Sequence, residues 1–135
     1  MNRFIYNYRV RYKDIDKMGV MYYSRYFEIF EEARTELLRE IGLTYKELEE
    51  KGYYLPVVEA YCNYKRSAYY DDLLTVECFV AEFSIVKIRI NYEVVRDKDL
   101  IGSGHTVHVF IDNNGKIKRP DKNTISILKL IVKNN

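Results

Sequence analysis

The stretch from Tyr12 to Tyr26 (YKDIDKMGVMYYSRY) carries the residues best suited to chemistry: two aspartates, Asp14 and Asp16, then Gly19. The segment Asp14–Val20 reads as a turn between a strand and the start of a helix. A helix N-terminus presents unpaired backbone N–H groups and roughly +0.5 of an elementary charge. A carbonyl oxygen placed there is polarised, and an oxyanion there is stabilised. A carboxylate beside it can attack the carbonyl carbon or take a proton from water. Gly19 lets the backbone turn sharply and approach a ligand. The same residue types also build plain turns and helix caps. A metal loop is disfavoured, because D-I-D-K-M-G lacks the acidic spacing and distal Glu of an EF-hand, and no metal site is expected.

Other chemistry is poorly represented. His105 and His108 lie three apart on a strand pattern, so they point to opposite faces and make no metal pair. Packing or hydrogen bonding is their expected role. No Ser or Cys sits in a nucleophile elbow, and no glycine-rich phosphate loop is present. Cys62 and Cys78 have no metal-type spacing and read as free thiols. With 22 basic and 20 acidic residues the net charge is +2. That balance gives no electrostatic footprint for nucleic acid. No apolar run approaches the ~20 residues of a membrane span, and the N-terminal residues read as a strand rather than a secretory leader. A cytoplasmic location is the expectation.

The elements that would hold the aspartates follow from periodicity. Residues 3–13 read as a strand. Ser24 is placed as a helix N-cap. Tyr26, Phe27, Phe30, Ala33, Leu37, Leu38 and Ile41 then recur at three- and four-residue spacing, one apolar stripe on a helix of about eighteen residues, ~27 Å long. Glu28, Glu31, Glu32, Thr35, Glu36 and Arg39 fall on its wet side, and an ion pair between Glu31 and Arg34 is the default for that i,i+3 spacing. Gly42 ends the helix. Thr44 and Glu47 form a capping-box pattern for a short second helix closed by Gly52.

From Pro56 the period changes to two. Strands are expected over 56–68, 73–83, 85–96 and 99–111, with turns at Asp71-Asp72, Ser84, Arg96–Asp99 and Asn113-Asn114-Gly115. Val86, Ile88, Ile90, Tyr92 and Val94 share one face of the third. Ile101, Val107, Val109 and Ile111 are assigned to one face of the fourth. A terminal helix over 121–132 is capped by Asp121. All 135 residues suit one α+β domain in which a long antiparallel sheet wraps a central helix. The sheet's edges and outer face invite pairing with another subunit.

Taken together, Tyr12, Asp14, Asp16, Gly19, Tyr26, Glu31 and Arg34 stand in an order that resembles the signature of the 4-hydroxybenzoyl-CoA thioesterase family. More closely, the order resembles the Tol-Pal-associated acyl-CoA thioesterases. The similarity continues through Gly42, Tyr64 and the R-S-A-Y-Y-D-D-L-L segment from Arg66 to Leu74, and covers roughly residues 5–120. It implies the hotdog fold and hydrolysis of an acyl-CoA to a free carboxylic acid and CoA. Asp16 matches the family's nucleophile or general base, and Tyr23 the position whose backbone N–H binds the thioester oxygen. Coenzyme A is then part of the substrate, and no separate cofactor is needed. The site is expected at the interface of a homodimer or of a larger homotetramer.

One departure concerns the helix start. Many relatives carry His at the position of Tyr23 or Asn at that of Tyr22, and this chain has Tyr at both. The backbone donor survives, while a histidine acid/base role there does not. Asp14 reads as structural, orienting the loop. The phosphates of CoA call for basic groups, among which Arg66 and Lys87 are the candidates. Gly19 and Tyr22 complete the expected substrate-binding set, and Tyr54 is a further aromatic residue expected near the cleft. A non-catalytic acyl-CoA sensor is the competing reading from a different functional class.

Overall fold

The computed structural model describes residues 3–133. The chain runs β1 (Phe4–Arg9), a single 3-10 turn (Tyr12–Asp14), α1 (Arg25–Glu40), α2 (Tyr45–Glu50), β2 (Val57–Tyr64), β3 (Leu73–Ser84), β4 (Lys87–Arg96), β5 (Asp99–Val109) and α3 (Lys122–Lys133). The five strands form one antiparallel sheet in the order β1-β3-β4-β5-β2. This is the hotdog architecture, with α1 as its central helix. The first strand is shorter than the expected 3–13, because the chain leaves the sheet at Val10 and winds into the 3-10 turn that carries Asp14.

The core is the apolar stripe of α1 set against alternate residues of the sheet. Tyr26, Ile29, Phe30, Ala33, Leu37 and Leu38 are buried on the helix. Leu74, Val76, Cys78 and Val80 of β3 and Ile88, Ile90, Tyr92 and Val94 of β4 face them. Phe30 and Tyr92 stack with centroids 4.2 Å apart and planes 7° from parallel. Burying a side chain of this size contributes about 1.5–3 kcal/mol, so this contact line fixes how the helix sits in the sheet. Gly42 has φ +85° and closes a two-bond C-terminal motif: Leu43 N–H reaches the Leu38 carbonyl and Gly42 N–H the Arg39 carbonyl. Thr44 and Glu47 cap α2 reciprocally, and Asp121 Oδ1 accepts the Thr124 N–H at the start of α3.

Two expectations about faces are corrected. On β5 the core-facing residues are Gly102, Gly104, Thr106 and His108, paired with Val94, Tyr92, Ile90 and Ile88 of β4, and Phe110 just beyond the strand is buried too. The face assigned from Ile101, Val107 and Val109 is the opposite one. A bulge between Val94 and Val95 shifts the register, so Ile101 is buried despite its parity. Alternation of large apolar residues points the wrong way because the Tyr26 and Phe30 rings of α1 press on positions 102 and 104, where glycine fits, and the face continues with Thr106 and His108.

The second correction is Arg34. Among the described residues no ion pair joins it to Glu31. It turns inward, 9% exposed, and its Nε donates to the Tyr45 hydroxyl at 3.0 Å. Beyond it the Tyr92 and Thr106 hydroxyls lie 2.7 Å apart, and His108 Nε2 is 2.8 Å from Thr106 Oγ1. His108 Nδ1 faces the Leu55 carbonyl at 3.3 Å. Buried polar groups are thus linked from α2 through the core to β5, as such groups require.

Candidate active site

Asp16 sits on a loop closed by its own backbone. Its N–H donates to the Val20 carbonyl and its carbonyl accepts the Gly19 N–H, both at 3.0 Å. Gly19 adopts φ +80°, which favours glycine. The carboxylate is fixed through one oxygen: Oδ1 accepts the N–H of Met18 at 2.8 Å and of Val20 at 3.4 Å. Its Oδ2 accepts no hydrogen bond among the described residues and is the oxygen available for chemistry.

The loop is tied to the rest of the fold by Asp14, which is 1% exposed. Asp14 Oδ2 accepts from the Tyr8 hydroxyl at 2.6 Å and from the Arg11 N–H at 2.9 Å, and Oδ1 lies 3.6 Å from Arg25 Nε. Burial, then the Asp14 carboxylate, pushes the Tyr8 phenol up and keeps it a donor. The Asp14 carbonyl also accepts the Tyr22 N–H at 2.8 Å. One residue therefore holds both the Asp16 loop and the entrance to α1, in the structural role read for it.

The start of α1 differs from an ordinary capped helix. Ser24 occupies the N-cap position but has helical dihedrals, φ −69° and ψ −20°, and its side chain makes no capping bond. The amides of Arg25, Tyr26 and Phe27 are taken by the carbonyls of Tyr22, Tyr23 and Ser24. No backbone carbonyl takes the N–H of Tyr23 or Ser24 among the described residues. These two donors lie at the positive end of the helix.

A hollow of ~290 Å³ brings these parts together. Asp16, Tyr22, Tyr23 and Arg66 all line it, joined by Tyr26, Tyr64, Lys65 and Ser67. Lys65 and Arg66 supply positive charge at one side, and Arg66 is within 3.6 Å of Asp99 across the surface. Two of these phenols, Tyr26 and Tyr64, stay protonated at neutral pH. Burial pushes Tyr26 up to about 12, and Tyr64 is raised by burial and by Cys62. Burial likewise lifts the Cys62 thiol to about 11, which removes it as a thiolate nucleophile.

Not every expected residue is here. Lys87 lies on the outer face of the sheet, in another hollow with Glu59, Glu82 and Arg89. Within one subunit it does not meet Arg66. Tyr54 lines a separate cavity with Tyr45, Pro56 and Ile111. His105 and His108 do face opposite ways, His105 onto Glu59 at the surface and His108 into the core. Cys62 and Cys78 are free. Tyr26 and Tyr64 stand in the sequence signature but not in the expected site set: Tyr26 falls on the apolar stripe, and Tyr64 sits in a strand with no periodic signal of its own. Their common signal is that tyrosine, rather than leucine or valine, stands where the helix and β2 meet.

Residues 10–127 match the thioesterase-like superfamily. Among curated proteins, the acyl-CoA thioesterase YbgC of Haemophilus influenzae is 38% identical over 118 residues, covering 87% of this chain and 86% of that one. Among solved structures, a hypothetical protein of Aquifex aeolicus superposes with a TM-score of 0.87 at 34% identity, covering 93% and 98% of the two chains. DHNA-CoA thioesterase of Staphylococcus aureus gives a TM-score of 0.91 at 28% identity, covering 98% and 91%. The fold agrees with these solved structures over nearly the whole described length, and the chain belongs to the thioesterase-like superfamily as a hotdog enzyme.

Proposed function

We propose that the protein hydrolyses acyl-CoA thioesters, with Asp16 as general base or nucleophile and the Tyr23 N–H as oxyanion donor. The observation that carries this reading is that a carboxylate with one free oxygen and a helix start with unpaired amides line the same hollow. The thioester carbonyl accepts from the Tyr23 N–H, which draws charge onto its oxygen. Either water attacks as Asp16 takes its proton, or Asp16 attacks first and water cleaves the resulting anhydride. The C–S bond breaks, the CoA sulfur leaves as thiolate and takes up a proton, and the acyl group leaves as a carboxylic acid.

Lys65 and Arg66 supply charge for the phosphates of CoA, and Tyr22 borders the acyl group, while Gly19 shapes the Asp16 loop without lining the hollow. The reading extends to the finer resemblance to Tol-Pal-associated thioesterases and to a homodimer with a shared site. Support for the dimer is β2, which lies at the sheet edge with Val57, Val58, Tyr61 and Tyr64 all more than 40% exposed. Through such a partner Lys87 would reach a neighbouring site.

The test is release of free thiol from a panel of acyl-CoA esters. Turnover by the wild type is expected, with Asp16→Asn reducing kcat at least ~10³-fold while the fold survives. Binding of the esters without thiol release would instead support an acyl-CoA sensor. Full activity in Asp16→Asn would remove Asp16 from the mechanism.

A further inference from the structure

We propose that Tyr64, from β2, is a positioning residue that holds the start of α1 in the geometry the oxyanion donor needs. This rests on the thioesterase reading above. The Tyr64 hydroxyl donates to the Tyr23 carbonyl at 3.0 Å. Its ring meets Tyr26 edge-on at 4.9 Å and Tyr23 at 6.4 Å, so one side chain grips three points of the first turn.

The helix start needs such a grip. Its first backbone bonds are of the i to i+3 kind, at 3.0, 3.3 and 3.2 Å for Arg25, Tyr26 and Phe27. Backbone bonds at a helix end open more readily than those in its middle. Ser24 adds no capping bond, so its hydroxyl does not close the turn. The peptide before Tyr23, which carries its N–H, is held by the Tyr22 carbonyl accepting from Arg25, and the peptide one residue earlier by the Tyr22 N–H donating to Asp14. The peptide after it is held by Tyr26 and by Tyr64. Both planes flanking residue 23 are thus fixed, and the second is fixed to the sheet through Tyr64. A donor acts on an oxyanion only when it points at that oxygen within a few tenths of an ångström. Tyr64 couples that direction to β2, the strand at the sheet edge. An apolar residue at 64 would fill similar space but let the turn breathe.

Tyr64→Phe keeps the ring and deletes the hydroxyl. With benzoyl-CoA and butanoyl-CoA as probes, kcat is expected to fall about tenfold while KM stays within about twofold, the signature of a group acting only in the transition state. In the ligand-free protein, hydrogen exchange of the Arg25 and Tyr26 amides is expected to speed up about tenfold, with amides in β3 and β4 unchanged. Unchanged exchange at α1 in a folded Tyr64→Phe protein would overturn the inference, as would a change confined to KM, which marks a direct substrate contact. Exchange that accelerates as stated, in a protein that turns over no thioester even as wild type, would uphold the coupling and sink the thioesterase reading instead.

Discussion

Gly104 of β5 lies directly under the Phe30 ring of α1: a Cβ at Gly104 would stand 2.9 Å from Phe30 Cε2 and 2.2 Å from the Tyr61 carbonyl oxygen. Neither neighbour can yield, since one belongs to the central ring stack and the other to the β2–β5 ladder. Gly104→Ala is expected to destabilise the protein by about 2–4 kcal/mol. Gly102 is the control. Its added Cβ would meet the Tyr26 ring at 3.3 Å and the Asn63 carbonyl oxygen at 3.4 Å, contacts that small shifts relieve. Urea unfolding of the two variants tests the ranking, and equal stability of the two would show that the ring does not press on this strand.

That contact also explains where the sequence was legible and where it was not. The helix, its C-terminal glycine, the capping box at Thr44 and the β3–β4 pair all announce themselves, because there local propensity and burial point the same way. The core face of β5 does not, because a strand that must pass under Phe30 and Tyr26 trades large residues for glycines, a threonine and a histidine. The roles of Asp16 and Tyr23 come with the resemblance to the thioesterase signature, and the turn through Asp16 and Gly19 is readable from spacing. Tyr64 is not, since its role arises only when β2, 41 residues further on, is folded back beside the helix start. Arg34 misleads for a related reason: its i,i+3 neighbour is Glu31, yet its side chain finds hydroxyls in the core.

His108 makes stability depend on pH. Burial, and then the Arg34 guanidinium, lowers its pKa from 6.5 to about 4. The folded protein therefore keeps His108 neutral where the unfolded chain has already taken up a proton. This group leaves stability untouched above pH ~6.5 and lowers it progressively as pH falls toward ~4, by about 3 kcal/mol in all. Carboxylates titrate in the same window, so the informative quantity is a difference. Urea unfolding of wild type and His108→Gln from pH 7.5 to 4.5 is expected to give a steeper decline for the wild type. Parallel curves would remove His108 as the source.

Asp14 links stability to the site. Its carboxylate accepts from Tyr8 and Arg11 and faces Arg25, all while buried. Asp14→Ala leaves the Tyr8 hydroxyl and the Arg11 amide without their acceptor, a loss of about 2–4 kcal/mol. The Asp16 loop and the Tyr22 amide hang on the same residue, so kcat is expected to fall in the variant even at temperatures where it remains folded. Thermal unfolding and thiol release on one preparation check both halves. Loss of stability with unaltered kcat would mean that the backbone carbonyl alone places the loop.

The two helix caps give the last contrast, because they look alike in sequence and differ in structure. Thr44 accepts the Glu47 N–H through Oγ1 at 3.1 Å and meets the Glu47 carboxylate at 2.9 Å. Ser24 makes no such bond. Removing a working cap destabilises by roughly 1 kcal/mol, while removing an idle one is near neutral. Thr44→Ala is therefore expected to lower stability by about 1 kcal/mol and leave kcat unchanged, and Ser24→Ala to change stability by less than about 0.5 kcal/mol. With no capping bond from Ser24, the Tyr26 and Phe27 amides bond back to the carbonyls of Tyr23 and Ser24 instead. If Ser24→Ala proves as damaging as Thr44→Ala, the hydroxyl caps the Tyr26 or Phe27 amide in solution, and the bonds from those amides to the Tyr23 and Ser24 carbonyls do not persist there.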